Sequence, residues 1–167
     1  MAAWLLRPYP HDIERVEEFM KGRMIAVGWP YVGSVEGLDR DAIGDKLRET
    51  YPNETARWIG SAENDLVNFS QEMKEGDLVL VAPKATDNKG RVLLARITGE
   101  YRFDETLATR TTGYAHQRVV EWVRPMIARD HVPDSLTAIV RQRGTTVVQL
   151  PEGVLEEHGR EKGWLKA

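Results

Sequence analysis

The stretch of residues 24–30, with the sequence MIAVGWP, places the strongest constraint on how this chain folds. The apolar run Met24–Val27 predicts a short buried strand, and Gly28 predicts a turn at its end. Trp29 follows directly, and Pro30 fixes the backbone beyond it while lacking an amide donor. A tryptophan ring at the mouth of a core strand either plugs the core or forms one wall of a pocket. Packing against the core is the simpler expectation when this stretch is considered alone.

The order of helical and strand patterns along the chain predicts the fold class. Short apolar runs predict strands at residues 4–7, 24–27, 78–81, 92–103, 115–123 and 145–150. Apolar residues at helical spacing, with capping residues such as Asp39, predict helices at about 12–21, 39–49, 54–74, 134–140 and 151–158. Helices that precede a run of strands favour an α+β fold with a mixed or barrel-like sheet.

Length and composition favour one globular domain without a membrane segment. The 167 residues are 41% apolar and 29% charged, which is ordinary for a soluble protein with a sizeable core. We therefore predict a single domain over residues 1–167. No apolar run reaches the length that a membrane span needs, and the N-terminus lacks a secretory pattern. We expect no membrane partner and a cytoplasmic location.

The residue types that support most enzyme and metal chemistry are missing or scattered. Zero cysteines exclude disulfides, thiol catalysis and zinc–thiolate sites. The four histidines are too scattered along the chain to show the spacing of metal ligands: His11, His116, His131 and His158. No glycine-rich phosphate loop, nucleophile elbow or zinc-protease motif is present. We therefore predict no catalytic residue, no metal and no cofactor.

Aromatic side chains at strand ends are the most informative candidates for ligand binding. Five of them are predicted at strand ends or in the following loops: Trp29, Tyr31, Tyr101, Phe103 and Tyr114. Aromatic rings in such positions can stack a planar ligand, because every nucleobase presents a π face. Trp4 and Trp122 instead lie within apolar strands, where we expect them to pack in the core.

Basic residues gather around a predicted hairpin and the loop after its second arm. They are Lys84, Lys89, Arg91, Arg102, Arg110 and Arg118. The net charge of −3 argues against a broad nucleic-acid coating, but a local basic face can still contact phosphates. We expect Lys84, Lys89, Arg102 and Arg110 to be the phosphate contacts, with an ordinary solvated surface as the alternative.

Five segments, taken in order, resemble the EVE/YTH-like branch of the PUA superfamily. They are WLLR at residues 4–7, IAVGW at 25–29, MKEGDLVL at 73–80, ARITGEY at 95–101 and HQRVVEW at 116–122. Their order and spacing span residues 4–150. The chain is most similar to the N-terminal specificity domains of prokaryotic modification-dependent, McrBC-type restriction proteins.

This resemblance implies a PUA-like curved mixed sheet or pseudo-barrel flanked by helices, with an aromatic cage that takes a modified base. Trp29 matches the cage tryptophan that follows the second strand, and Trp122 matches a framework tryptophan. The second cage aromatic of the family precedes that framework strand, where this chain offers Phe103 and Tyr114 but no tryptophan. The identity of the second wall therefore stays open, and Tyr101 is also assigned to the pocket.

Polar contacts to the base are expected from two parts of the chain. Arg7 matches a polar position at the end of the first strand, near the pocket of the family. Asn64 and Asn68 on the long predicted helix are further candidates, although a solvent-facing position is the simpler expectation for each. Members of the family are reader domains and lack catalysis of their own.

We predict from these features a reader of a modified nucleobase in DNA, acting as the recognition module of a restriction or antiviral defence system. The base would be methylated or hydroxymethylated cytosine, or N6-methyladenine, flipped into the aromatic cage. An effector nuclease or motor would be fused to this domain or supplied by a separate protein. The alternatives are an RNA-modification reader of the same fold, or a small-molecule or protein-binding module that uses the same pocket.

Overall fold

The chain folds around a mixed sheet with helices on both faces. The structure is a computed structural model, and it describes residues 1–108, 113–142 and 144–166. Its strands are β1 (Ala3–Leu6), β2 (Met24–Val27), β3 (Leu78–Val81), β4 (Val92–Phe103), β5 (His116–Ile127) and β6 (Val147–Gln149). Its α-helices are α1 (Val16–Gly22), α2 (Arg40–Thr50), α3 (Ala56–Val67), α4 (Asp134–Arg141) and α5 (Val154–Glu161). The predicted α+β class is confirmed.

Strand order explains why the sheet is mixed and open. The order across the sheet is β2-β5-β4-β3-β1-β6. β1 pairs with β3 in parallel, and the other neighbouring strands pair antiparallel. β2 and β6 lie at the two edges, so the strands seen in this part of the chain form an open curved sheet rather than a closed barrel. The register of β4 against β5 shifts at three places, and such irregularities bend and twist a strand pair.

Two separate hydrophobic cores cover the two faces of the sheet. Trp4 and Leu6 of β1 belong to a core that also takes residues of α1, α2 and α3. Ala3 and Leu5 point the other way, into a core that takes residues of α4 and α5. Because successive side chains of a strand face opposite sides, a strand covered on both faces must be apolar throughout. This is the physical reason for the continuous apolar runs in β1 and β3.

The end of α3 is held against the sheet by a buried arginine. α3 continues into a π-helical turn at Asn68–Glu72. Arg118 of β5 is only 4% exposed, and its guanidinium donates to carbonyl oxygens of this turn and its surroundings. The distances are 2.7 Å to Phe69, 3.1 Å to Ser70, 2.9 Å to Met73 and 3.1 Å to Gly99. A buried charge is tolerated because its donors find acceptors.

A buried carboxylate joins the N-terminal strand to the turn that precedes β3. Asp77 is 4% exposed and accepts three hydrogen bonds of 2.9 Å, from the amides of Ala2 and Lys74 and from Nε1 of Trp4. Trp4 itself is 2% exposed, in agreement with the core position predicted for it. Asp77 therefore satisfies donors from β1 and from the approach to β3 at the same time.

We expect Asp77→Ala to lower the free energy of unfolding by about 3 kcal/mol or more, because hydrogen bonds to a charged group contribute about 1.5–3 kcal/mol each. Urea denaturation followed by circular dichroism measures the change. Asp130→Ala removes an exposed aspartate and serves as the control. Equal unfolding midpoints for the two variants would show that Asp77 does not hold β1 in place.

Candidate functional site

A cavity of about 1020 Å³ opens beside the segments that follow β1, β2 and β3. α3, the turn after β5, the C-terminal end of α4 and the segment that leads into β6 also line it. This volume lies just above the range of about 300–1,000 Å³ that is typical of ligand pockets. Three aromatic side chains line the cavity: Tyr9, Trp29 and Trp58.

Trp29 lines the cavity with a strained backbone. Its φ of 58° and ψ of 50° lie in the left-handed region, which a bulky side chain rarely adopts. Such a conformation costs on the order of 1–3 kcal/mol and persists only when its surroundings hold it. The ring is half-buried and packs against the core below it. In the turn after β2, the left-handed conformation is therefore adopted by Trp29 itself, and not by Gly28 before it.

A chain of hydrogen bonds beneath Trp29 holds this backbone in place. Nε2 of His116 lies 3.0 Å from the carbonyl oxygen of Trp29. Nδ1 of His116 lies 2.7 Å from the hydroxyl of Tyr101, which accepts a bond of 3.2 Å from the amide of Val35. Because a carbonyl oxygen only accepts, Nε2 carries the proton, and Nδ1 accepts from the tyrosine hydroxyl. We refer to this chain from Val35 through Tyr101 and His116 to Trp29 as the histidine relay.

The histidine of the relay is neutral at physiological pH. His116 is fully buried, and its pKa is lowered from 6.5 to about 4, chiefly by this burial. The charge on Lys46 contributes to the lowering, whereas the bond to the Trp29 carbonyl opposes it. The neutral ring has one donor and one acceptor, which is the pattern that its two partners need.

Trp58 is the second tryptophan of the cavity, and sequence reasoning did not select it. It lies in the first turn of α3, where the side chain of Thr55 caps the helix by accepting from the Trp58 amide at 3.1 Å. Its ring meets that of Tyr51 edge to face, with 5.1 Å between centroids. Trp58 precedes Ala62 by four residues and so extends the apolar stripe of the helix. That stripe was the available signal, but it is equally typical of a core aromatic.

The aromatic residues expected as the second wall lie away from this cavity lining. Phe103 packs against His116, with ring centroids 5.0 Å apart. Tyr114 meets Phe19 edge to face at 6.3 Å, and the guanidinium of Arg15 lies 5.1 Å from its ring centroid. Phe103 thus packs on the relay, and Tyr114 packs beside α1.

Tyr101 lines a different cavity, of about 560 Å³, as well as taking part in the relay. Asn64 is exposed and accepts a hydrogen bond from Arg40. Asn68 is half-buried at the start of the π-helical turn, where its carbonyl accepts from the Met73 amide at 2.9 Å. The structure therefore does not bring these three residues into the lining around Trp29.

Arg7 lines the cavity, but its guanidinium is engaged by the end of α4. It donates to the carbonyls of Val140 at 2.9 Å and Ile139 at 3.0 Å, and also to that of Gln142. They lie at the C-terminal end of α4, where carbonyls lack the i+4 partners of a helix interior. Arg7 thus fixes the position of α4 beside the cavity. Burial lowers the pKa of Arg7, and the nearby charge of Arg129 lowers it further.

The predicted phosphate contacts are spread over the surface. Lys84 lines the cavity, and its Nζ lies 5.0 Å from the ring centroid of Tyr9. Lys89 is exposed in a short turn with a φ of 61°. Arg102 is exposed and donates to the Gln117 side chain at 3.0 Å. Arg110 lies outside the described residues. Of these four, only Lys84 is seen to line the cavity with Trp29.

Charge is concentrated around the cavity. Within the described residues, its charged lining consists of five cations and two carboxylates: Arg7, Arg57, Lys84, Arg129 and Arg141, with Asp12 and Asp65. The lining is therefore positive in a chain whose net charge is −3. Such a local potential attracts anions to the cavity.

Asp65 and Thr145 supply polar groups to the cavity wall. Asp65 is 3% exposed and accepts from the amides of Val147 at 2.9 Å and Thr146 at 3.2 Å. Burial raises the pKa of its carboxyl to about 6. The Thr145 hydroxyl is buried without a hydrogen-bond partner in the part of the chain that the structure describes. Together they can accept hydrogen bonds from, or donate them to, a bound ligand.

The described residues contain no group of three or more histidine, aspartate or glutamate side chains placed to hold a metal ion. None of their helices is long and apolar enough to cross a membrane.

We expect the histidine relay to make stability depend on pH. Because the folded pKa of His116 lies below the unfolded value of 6.5, the unfolded chain takes up a proton first as pH falls. The contribution of the neutral ring is present above pH 6.5 and is lost between about 6.5 and 4. Its slope is at most about 1.4 kcal/mol per pH unit.

His116→Gln isolates this effect, since the raised pKa of Asp65 gives the opposite pH dependence in both proteins. Urea unfolding at pH values of about 4.5, 5.5 and 7.0, which span the titration of His116, measures the slopes of stability against pH. The wild type should lose more stability toward acid than His116→Gln. Identical pH profiles would contradict the neutral, buried state of this ring.

Comparisons with known proteins give one family and several distant structures. The sequence matches the family described as Domain of unknown function (DUF8426) over residues 8–150. No curated protein sequence matches the chain.

Similar solved structures include the YTH domain of the Zygosaccharomyces rouxii MRB1 protein in complex with N6-methyladenosine RNA, with 16% identity and a TM-score of 0.49. That alignment covers 99% of this chain and 88% of the other. A hypothetical protein from Leishmania major is 15% identical with a TM-score of 0.48, covering 97% of both chains. The Pho92 YTH domain in complex with m6A is 12% identical with a TM-score of 0.47, covering 93% of this chain and 79% of the other.

Proposed function

The chain belongs to the DUF8426 family, and we propose that it binds a modified nucleobase within a nucleic acid. The observation that carries the proposal is that Trp29 and Trp58 line one cavity whose lining is positively charged. Aromatic faces stack on planar bases, and cations neutralise the phosphates beside them. A nucleic-acid base with its flanking backbone uses both features.

The two tryptophans are held in place before any ligand arrives. The histidine relay holds the backbone of Trp29, its ring packs against the core, and Tyr51 packs against the ring of Trp58. A prearranged stacking surface reduces the ordering cost of binding. In this proposal, Trp58 takes the role of second wall that the sequence assigned to Phe103 or Tyr114.

Polar groups of the wall are suited to the edge of a base. The Asp65 carboxylate can accept from an exocyclic amino group, and the Thr145 hydroxyl has bonding capacity to spare. Base stacking contributes about 1–3 kcal/mol and hardly depends on modification. One methyl group adds only about 1 kcal/mol by burial. Discrimination beyond about fivefold would therefore depend on these edge contacts.

We propose DNA as the nucleic acid and base flipping as the mode of entry. A base within a duplex must leave the stack to reach a cavity, at a cost of a few kcal/mol that stacking and edge contacts offset. The resemblance to specificity domains of restriction proteins motivates a role in defence, with a fused or separate effector nuclease or motor. The same cavity would accept a modified base from RNA, which is the second arm of the test.

Titrating oligonucleotides against the protein tests this function. The ligands are DNA duplexes with 5-methylcytosine, 5-hydroxymethylcytosine or N6-methyladenine, unmodified duplexes, and RNA with N6-methyladenosine. We expect at least one modified ligand to bind more tightly than its unmodified counterpart. Equal affinity for all ligands, or no binding to any of them, would overturn the proposal.

We expect Trp29→Ala and Trp58→Ala each to weaken binding of the preferred oligonucleotide by about 1–3 kcal/mol, since each removes a stacking surface. Fluorescence anisotropy measures the affinities. Trp164→Ala is the matched control, because Trp164 packs against the core beside α5 and His158. If all three variants bind alike, the tryptophans of the cavity do not hold the base.

The salt dependence of binding tests the basic lining. We expect Lys84→Ala to make the log–log slope of affinity against salt shallower by about 0.9 for duplex DNA, which corresponds to one lost phosphate contact. Lys89→Ala removes the same charge from an exposed turn and should leave the slope unchanged. Equal slopes in both variants would show that Lys84 does not contact a phosphate.

A further inference from the structure

Three arginines of the cavity have no carboxylate partner in the described part of the chain. Arg7 follows β1, Arg129 lies in the short turn after β5, and Arg141 is the last residue of α4. The ion pairs found in these residues involve other cations. The three positive charges are therefore not neutralised by side chains of the structure around them.

The three arginines line the same cavity, and hydrogen bonds to backbone carbonyls hold two of them, Arg7 and Arg129. Arg7 donates to the carbonyl of Val140, which immediately precedes Arg141. Arg129 donates to the carbonyl of Pro83 at 2.7 Å, next to Lys84. Burial lowers the pKa of Arg129, and the charge of Arg141 adds to this shift. Arg129 in turn lowers the pKa of Arg7, so the charges repel one another in two pairs.

Most of the donor capacity of Arg129 and Arg141 remains unused. A guanidinium offers five N–H donors, and the described residues accept one hydrogen bond from Arg129 and none from Arg141. Nε of Arg7 is buried and has no acceptor in the same part of the structure. Asp65 lines the same cavity, but it forms no ion pair with these arginines among the described residues.

We propose that Arg7, Arg129 and Arg141 form a phosphate-binding subsite, which holds the phosphate of the nucleotide whose base stacks on Trp29 and Trp58. This inference rests on the proposed function and adds a ligand group to it. A phosphate offers several oxygen acceptors to planar guanidinium groups, which bind it in a bidentate manner. It also relieves the mutual repulsion of three like charges, and the cavity volume of about 1020 Å³ accommodates more than a base.

The phosphate can be a diester within a chain or a monoester on a free nucleotide. Both present negatively charged oxygens to the same donors. The subsite therefore predicts that a nucleotide binds more tightly than the nucleoside with the same base. It also predicts that inorganic phosphate alone binds weakly and competes with nucleotides.

Isothermal titration calorimetry on the full chain tests the subsite. The probes are 5-methyl-2′-deoxycytidine and N6-methyl-2′-deoxyadenosine, their 5′-monophosphates, the dinucleotides that contain them, and inorganic phosphate. Arg141→Gln and Arg129→Gln are the test variants. Arg124→Gln is the matched control, because Arg124 is exposed on β5 and lies outside the cavity lining. Arg7 is left intact because it holds the end of α4.

For the wild type and Arg124→Gln, we expect a monophosphate or dinucleotide to bind at least about tenfold more tightly than its nucleoside, as charge-assisted bonds require. Arg141→Gln and Arg129→Gln should reduce this ratio severalfold and leave nucleoside affinity unchanged. A larger effect for the dinucleotide identifies the diester as the bound group, and a larger effect for the monophosphate identifies the monoester.

The two proposals fail in different ways. Equal affinities of nucleoside and nucleotide in the wild type would overturn the subsite while retaining the base cavity. Binding of inorganic phosphate that is lost in Arg141→Gln, with no binding of any base or oligonucleotide, would retain the anion site and overturn base reading. Equal losses in Arg124→Gln and Arg141→Gln would reduce the effect to net charge and overturn the subsite.

Discussion

The start of β5 buries three polar side chains in succession, and the arrangement around the candidate site depends on how they are satisfied. His116, Gln117 and Arg118 are at most 4% exposed. Burying a polar group without a partner costs on the order of 1–3 kcal/mol, and more for a charge, so each must find its bonds inside the protein. Arg118 donates hydrogen bonds to carbonyls that follow α3. Gln117 donates to the carbonyl of Tyr114 and accepts from Arg102. His116 donates to the carbonyl of Trp29.

Residues of β5 thereby help to position both Trp29 and Trp58. The histidine sets the backbone of Trp29 directly, whereas the arginine anchors the far end of the helix that carries Trp58. Core packing alone is non-directional, so it does not specify the backbone geometry around the cavity as these hydrogen bonds do.

The fold class was predictable because its signal is local. Met24–Val27, Leu78–Val81 and Val92–Phe103 were predicted with the bounds that the structure shows, since continuous apolar runs end at glycine, proline or charge. The last helix was predicted from residue 151 but begins at Val154. Gly153 has a φ of 77° and forms a turn before it, and a sequence pattern does not reveal that conformation.

The site was predictable only in part, because segments far apart in the sequence converge on it. Trp29, Arg7 and Lys84 follow three different strands. Trp29 was selected for its position after a strand and for the family resemblance, Arg7 for the resemblance, and Lys84 as a basic residue beside a predicted hairpin. Trp58 was not predicted to line the site, because an aromatic residue on an amphipathic helix is usually a core residue. Phe103 was selected for its place at a strand end, but its register opposite His116 turns it toward the relay. Register of this kind depends on long-range pairing.

The left-handed backbone of Trp29 has a consequence for how this protein would respond to selection. Glycine or asparagine adopts that conformation with far less strain than tryptophan. Replacing Trp29 by either residue would relieve this strain but would also lose the packing of its ring against the core. A screen for heat resistance weighs only these two effects and places no value on the ring as a wall of the cavity, so any such effort must select for ligand binding at the same time.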